Sequence, residues 1–164
     1  MPGSPFSHLD DDASPRMVDV GGKEATTRAA VAETIIELPE EVLRALDRDD
    51  LRTAKGSVFD IANLAGVQAA KKTSELIPLC HLIPLESVKL DLRREGADRI
   101  VVTCRAKATH KTGVEMEALV GATAAALTVY DMCKALSPEI VLRETKLIEK
   151  TGGTGDYRRK DPDS

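Results

Sequence analysis

The segment from Glu115 to Ala135, EMEALVGATAAALTVYDMCKA, constrains the fold more than any other part of the sequence. Its centre, residues 118–130, carries no charged side chain. A helix that is apolar on every side is normally buried on every side. A sheet can cover one side, but in a chain of 164 residues, which makes one domain, the other side needs a second partner. We therefore predict a mostly buried helix and a homo-oligomer that forms through it.

The patterns in the rest of the chain predict an α+β fold. Apolar residues recur in the order strand, helix, helix, strand, strand, long helix, strand. Ser57 is the expected N-cap of the second helix, which should stop before Pro78. The predicted segments are a strand at 26–39, whose alanines also leave a helix open, helices at 39–50 and 57–77, the hairpin strands 87–94 and 99–107, and a strand at 140–150. We expect a ferredoxin-like antiparallel sheet packed by helices, which oligomerises through the long helix and the sheet.

The composition indicates one cytoplasmic domain with a tail at each end. Residues 1–16 are rich in Pro and Asp and read as a mobile tail, 17–157 as a single domain, and 158–164 as a flexible tail. A net charge of -4 with only two Phe, two Tyr and no Trp counts against nucleic-acid binding. The three cysteines show no C-x-x-C spacing, and no apolar run could span a membrane. No secretion signal is visible either.

Asp131 and Lys134 are the first candidates for chemistry. They lie three positions apart at the end of the long helix and therefore share one face. For an arbitrary sequence, a surface ion pair is the commoner case. A lysine under apolar cover beside a carboxylate can also serve proton transfer. Both interpretations stay open at this point.

Glu115 and Glu117 begin the same helix, where acidic residues also favour the helix dipole. Glu117 and Asp131 are 14 positions apart, which is roughly 21 Å along a straight helix. One compact pocket can hardly use both ends of one copy. If both ends are functional, antiparallel pairing of two copies predicts a site shared between subunits.

His81 and the cations complete the set of candidates. Cys80 and His81 are adjacent in an extended segment, so a direct dyad or a metal site there is not expected. His81 is equally compatible with a structural role and a catalytic one. Several cations stand at the ends of predicted elements, where they could converge on phosphate: Lys23, Arg28, Lys55, Lys71, Lys72, Lys111, Lys150, Arg158 and Arg159. The sequence GGTG lacks the lysine and helix of a P-loop, so it is a weak signal.

Six runs closely resemble the MoaC family, the cyclic pyranopterin monophosphate synthases of molybdenum cofactor biosynthesis. They are MVDV (17–20), KGSVF (55–59), AGVQAAKKT (65–73), LIPLCH (76–81), KTGVEMEAL (111–119) and AALTVYDMCKA (125–135). The likeness extends from Met17 to about Tyr157. It implies a ferredoxin-like subunit in a homohexamer, a trimer of dimers, with active sites between subunits.

The resemblance also implies the reaction and its residues. The expected enzyme is a lyase that converts (8S)-3',8-cyclo-7,8-dihydroguanosine 5'-triphosphate to cyclic pyranopterin monophosphate and diphosphate. By matching motifs, Asp131 is the catalytic acid or base and Lys134 its essential partner. The substrate-binding residues carried over are Leu79, Cys80, His81, Glu115, Met116, Glu117, Lys23, Arg28, Lys55 and Lys150. No redox cofactor is expected, and Mg²⁺ on the triphosphate is compatible with the sequence but not indicated by it.

Two departures from the family pattern concern the substrate loops. Leu82 follows His81 where the family often has Pro or Asn. The tail reads GGTGDYRR where the family usually has GGKSG, so a common lysine is missing and Arg158 or Arg159 is the expected substitute. The alternatives are another nucleotide-triphosphate enzyme on the same sheet and a non-catalytic module that binds RNA or a regulatory ligand. A catalytically dead homologue is a further alternative, against which the intact pair Asp131 and Lys134 argues.

Overall fold

The computed structural model describes residues 14–48, 52–53 and 56–160. The strands are β1 Thr26–Glu37, β2 Arg52–Thr53, β3 Gly56–Ser57, β4 Ser87–Glu95, β5 Arg99–His110, β6 Val141–Thr151 and β7 Tyr157–Arg158. The helices are α1 Glu40–Arg48, α2 Val58–Lys71, α3 Thr73–Leu76 and α4 Glu115–Cys133.

The main sheet has the order β4-β5-β1-β6-β7, with antiparallel neighbours throughout. The succession β1, α2, β4, β5, α4, β6 and the central position of β1 and β5 are those of a ferredoxin-like fold. The predicted fold class is therefore confirmed. The predicted hairpin is also confirmed, and its turn uses Gly96 at φ +67°, a conformation that glycine adopts without steric cost.

Helices α2 and α4 cover one face of the sheet with unusually small residues at their contact. A Cβ atom added at Gly66 would lie 2.8 Å from the carbonyl oxygen of Gly121 and 2.3 Å from Cδ2 of Leu90. A Cβ atom added at Gly121 would lie 2.7 Å from Sγ of Cys104 in β5. The two glycines therefore set how closely the helices approach each other and the sheet.

The long helix is buried on one side and partly open on the other. Ala118, Ala122 and Val129 have no exposed surface, whereas Leu127 is 54% exposed. The helix ends at Cys133, two residues before the predicted Ala135, and the amide of the capping residue Lys134 makes the last helical bond, to the Tyr130 carbonyl. The single chain thus leaves part of the apolar surface of α4 exposed, and this surface is the basis for predicting an oligomer. The oligomer itself stays a prediction.

The second predicted helix is divided in two. Ser57 caps α2 as predicted, because its Oγ accepts from the Asp60 amide. The helix stops at Lys71, and the short helix α3 follows before Pro78. Ile61 fits the apolar spacing but is 40% exposed, since the residues that face α4 recur every four positions at Val58, Ala62, Gly66 and Ala70. Within the described residues, no helix is long and apolar enough to cross a membrane.

Candidate functional site

A cavity of about 380 Å³ lies beside the N-terminal end of α4. We call it the first pocket. Its walls come from the segment before β1, from the loop after α3 and from the start of α4. The lining residues are Val18, Val20, Lys23, Leu79, Cys80, His81, Ile83, Thr112, Gly113, Glu115, Met116 and Glu117. Apolar side chains, two carboxyl groups and one imidazole therefore face a common space.

A second cavity of about 160 Å³ adjoins the first. We call it the basic pocket, because four cationic side chains line it. The lining residues are Lys23, Arg28, Lys111, Thr112, Gly113, Glu115, Lys150, Thr151, Gly153 and Thr154. Lys23, Thr112, Gly113 and Glu115 belong to both cavities. The two pockets therefore form one groove with a cationic end.

The basic pocket forms because β1 lies between β5 and β6 in the sheet. Arg28 of β1 donates through Nε to the His110 carbonyl at 3.2 Å and through Nη2 to the Lys111 carbonyl at 3.4 Å. Thr26 donates to the carbonyl of Gly152 at 2.8 Å. These bonds fix the loops that follow β5 and β6 against the start of β1. Arg28 therefore positions the loop and also contributes charge to the pocket.

The glycine-rich loop after β6 depends on Gly152. Its φ is +84°, and an added Cβ atom would lie 1.8 Å from the carbonyl oxygen of Thr27. Only glycine permits both the conformation and the close approach. The loop then brings Gly153 and Thr154 to the basic pocket.

Residues 17–23, which we call the strap, run along the first pocket. Val18 and Val20 line that pocket and are half-buried, whereas Met17 and Asp19 are exposed. His81 holds one end of the strap through a 2.8 Å hydrogen bond between Nε2 and the Val18 carbonyl. Lys111 holds the strap near its other end, because its Nζ donates to the Gly21 carbonyl at 2.6 Å.

Glu115 stands where the two pockets meet. Its Oε1 lies 3.0 Å from Nζ of Lys150 in β6. Both side chains are partly exposed, at 27% and 39%, so this ion pair is screened and of modest strength. An incoming phosphate can therefore compete with Glu115 for Lys150.

Glu117 is the most perturbed carboxyl group of the site. Only 3% of the residue is exposed, and this burial raises its pKa from 4.5 to about 7, with a smaller contribution from the charge of Glu115. Burial also raises the pKa of the Cys80 thiol, and the charge of Glu117 adds to that effect. Near neutral pH, Glu117 can accordingly bind or release a proton, as a general acid or base must.

Asp131 and Lys134 form an ion pair at the other end of α4. Lys134 Nζ lies 2.7 Å from Asp131 Oδ1, and each side chain is 56% exposed. The hydrogen bond to Asp131 raises the pKa of Lys134. Neither residue lines the first pocket or the basic pocket, and the apolar cover that proton transfer would need is absent in the single chain.

The other predicted site residues divide as follows. The structure brings together nine of them in the groove: Lys23, Arg28, Leu79, Cys80, His81, Glu115, Met116, Glu117 and Lys150. Lys55 lies outside the described residues. Arg159 does not take the place of the missing lysine, because its Nε donates to the Leu147 carbonyl at 2.9 Å and it lines neither pocket. Arg158 of β7 lies opposite Glu149 and is likewise absent from the lining.

The lining residues that the sequence did not indicate include Ile83, Thr151 and two groups near the strap and the start of α4. Val18 and Val20 belong to the MVDV run, in which they flank the polar Asp19, and this local alternation indicates that one side of the segment is covered. Thr112 and Gly113 join β5 to α4 and lie between the two pockets. In the part of the chain that the structure describes, no three or more His, Cys, Asp or Glu side chains are grouped so as to hold a metal ion.

The fold and the groove together define a ferredoxin-like α+β protein with a site for a small anionic molecule. Its apolar, carboxyl-bearing part suits a heterocycle, and its cationic part suits phosphate. The sequence profile of the MoaC family matches residues 17–153. The chain therefore belongs to the MoaC family.

Relatives that carry a functional name are similar over most of the chain. A cyclic pyranopterin monophosphate synthase of Xanthomonas campestris pv. campestris strain B100 is 47% identical over 151 residues, with 92% of each chain covered. The protein of the same name from Xanthomonas oryzae pv. oryzae strain MAFF 311018 is 46% identical with the same coverage. A molybdenum cofactor biosynthesis bifunctional protein of Synechocystis sp. is 46% identical over 155 residues. This chain spans 45% of the length of that bifunctional protein.

Proposed function

We propose that this protein is a cyclic pyranopterin monophosphate synthase, a lyase of molybdenum cofactor biosynthesis. It converts (8S)-3',8-cyclo-7,8-dihydroguanosine 5'-triphosphate to cyclic pyranopterin monophosphate and releases diphosphate. The observation that carries this proposal is the continuous groove, in which a pocket with two carboxyl groups meets a pocket with four cations. The similarity to synthases of that name over 92% of the chain supports it.

The groove fits the two ends of this substrate. Glu115 and Glu117 can accept the adjacent N–H donors of the guanine-derived ring, since a carboxylate accepts two such bonds. Lys23, Arg28 and Lys150 converge on the other end, where they can bind the triphosphate. The same cations would stabilise the negative charge on the departing diphosphate.

The reaction requires proton transfers and one displacement at phosphorus. Protons move while the imidazole ring opens and the pterin ring closes. A ribose hydroxyl then loses its proton and attacks the α-phosphorus, and the bond from that phosphorus to the bridging oxygen of diphosphate breaks. No electrons are gained or lost overall, so we expect no redox cofactor; we leave open whether Mg²⁺ accompanies the triphosphate.

Asp131 and Lys134 are the proposed acid–base pair, supplied by a second subunit. An estimate from helix geometry and one observation support a shared site. The pair lies roughly 21 Å along α4 from Glu117, and it is exposed at the helix end without lining the groove of its own chain. An antiparallel pairing of two α4 helices would bring Asp131 of each copy to the groove of the other. We propose that the dimers assemble further into a homohexamer.

We also propose a cytoplasmic location. Cys80, Cys104 and Cys133 are all free thiols, which suits a reducing compartment.

The direct test is to incubate the protein with the cyclised dihydro-GTP intermediate and to follow cyclic pyranopterin formation and diphosphate release. We expect both products in equal amounts. Ordinary GTP is the matched control, because it lacks the bond between C3' and C8 that the reaction rearranges. Diphosphate release from GTP, without turnover of the cyclised compound, would instead support a different nucleotide-triphosphate enzyme.

A further inference from the structure

Lys111 lines the basic pocket, although the resemblance to the MoaC family did not mark it as a substrate-binding residue. It follows the last residue of β5 and is half-buried. Its backbone is fixed, because Arg28 donates to its carbonyl oxygen at 3.4 Å. Its position in the pocket is therefore set by the central strand of the sheet.

The ammonium group of Lys111 has donor capacity left over. It donates to the carbonyl oxygen of Gly21 at 2.6 Å, which uses one of its three N–H donors. Within the described residues, no carboxylate lies within 4.0 Å of Lys111, whereas Lys150 in the same pocket is paired with Glu115 at 3.0 Å. Lys111 thus brings an uncompensated positive charge to the pocket.

Gly21 belongs to the strap, and the strap borders the first pocket. Val18 and Val20 line that pocket three and one residues before Gly21. Asp19 tightens the segment, because its Oδ1 accepts from the Gly21 amide at 2.7 Å. One side chain therefore connects the cationic end of the groove to the segment that lies along the other end.

We propose that Lys111 is a further substrate-binding residue, which donates to the phosphate chain while it keeps its bond to Gly21. Phosphate binding then fixes the Lys111 ammonium group and, through it, the strap over the neighbouring pocket. This inference rests on the proposed function for the identity of the substrate. The phosphate contact itself requires only a polyphosphate ligand, so it can be tested with inorganic diphosphate.

Calorimetric titration with diphosphate gives the first readout. Wild type should bind diphosphate, and Lys111→Met should bind it about tenfold more weakly, since a charge-assisted hydrogen bond contributes on this order. Lys111→Arg keeps the charge and should stay close to wild type. Lys107→Met is the matched control, because Lys107 is an exposed lysine of β5, four residues before Lys111, that lines neither pocket.

Amide hydrogen exchange of residues 17–23 gives the second readout. Diphosphate should slow exchange of the strap in wild type and in Lys107→Met, but not in Lys111→Met. A purely structural role for Lys111 would speed strap exchange without changing the affinity for diphosphate. Three results would overturn the inference: no diphosphate binding to wild type, equal affinity in Lys111→Met and Lys107→Met, or strap exchange in wild type that diphosphate does not change.

Turnover of the cyclised substrate by wild type separates this inference from the proposed function. Normal turnover together with diphosphate binding that does not depend on Lys111 refutes the inference alone. Absent turnover together with binding that depends on Lys111 refutes the proposed reaction and leaves the phosphate contact standing.

Discussion

Glu117→Gln should remove a pH dependence of folding that the buried carboxyl group creates. The folded protein holds the Glu117 proton more tightly than the unfolded chain does, because burial raises the pKa from 4.5 to about 7. Below pH 4.5 the carboxyl group is protonated in both states and its burial as a neutral group incurs no ionisation penalty. Between pH 4.5 and about 7 the unfolded chain loses this proton while the folded protein keeps it, so the free energy of unfolding falls; above 7 both states are ionised and the loss is complete.

The size of the effect follows from the two pKa values. Their difference, at about 1.36 kcal/mol per pH unit, amounts to roughly 3.4 kcal/mol in total. About 2.5 kcal/mol of this loss falls between pH 5 and pH 8. Glutamine has nearly the same shape and never ionises. The free energy of unfolding of the variant should therefore exceed that of wild type at pH 8. The difference should be about 2.5 kcal/mol larger at pH 8 than at pH 5.

Urea unfolding at pH 5, 6, 7 and 8, followed by circular dichroism, measures this difference. The protomer concentration must be constant, because the stability of an oligomer depends on it. Glu75→Gln serves as the control, since Glu75 is an exposed carboxylate on α3. Parallel stability curves for wild type and Glu117→Gln would show that Glu117 ionises in the folded protein as it does in water. The reasoning about its burial would then be wrong.

Three further predictions concern the pair on α4 and two glycines. Asp131→Asn and Lys134→Ala should each abolish product formation in the turnover assay without changing the oligomer mass by light scattering; near-normal turnover in either variant contradicts the assigned roles. Gly66→Ala should lower the free energy of unfolding by about 1–2 kcal/mol in urea titrations, because overpacking costs about 1–3 kcal/mol and alanine recovers part of it through helix propensity. Gly152→Ala should weaken diphosphate binding in calorimetry, because no other residue fits at φ +84° against the β1 carbonyl; unchanged affinity would show that this loop does not shape the basic pocket.

The elements of the fold were predictable because local patterns specify them. The hairpin β4–β5 follows from alternation around Gly96, and α4 from its uncharged run of small residues. Ile61 shows the limit of such patterns: its spacing fits the apolar face of α2, yet it is 40% exposed. The contact between α2 and α4 selects the small residues at every fourth position, which only the packed structure reveals.

Most residues of the site were predictable from the sequence. Which cations line the basic pocket, and which lie elsewhere, was not. Lys23, Arg28 and Lys150 are far apart in the sequence and meet because β5 and β6 both pair with β1. The sequence does not indicate that Arg159 would donate to Leu147. It also does not distinguish Lys111, which lines the basic pocket, from Lys71 and Lys72, which were equally expected near phosphate and line neither pocket. These contacts depend on the register of the strands, which short motifs do not encode.

Glu117 illustrates how a functional site can oppose stability. A carboxyl group at the start of α4 interacts favourably with the helix dipole. Burial nevertheless dominates and raises its pKa to about 7. The buried carboxyl group lowers the free energy of unfolding at neutral pH. Its position in the first pocket indicates that the residue serves proton transfer there, at the expense of stability.

The shared active site is the central claim, and subunit complementation tests it most directly. Asp131→Asn and Lys150→Met should each be inactive alone, one through the acid–base pair and the other through the basic pocket. In oligomers reassembled from an equal mixture, the intact groove of an Asp131→Asn subunit can meet the intact Asp131 and Lys134 of a Lys150→Met subunit. About a quarter of the sites should then be active, because random pairing makes half of the dimers mixed and repairs one site in each. Turnover by the mixture at about a quarter of the wild-type rate is the predicted result, and a mixture as inactive as either variant alone would contradict a site shared between subunits.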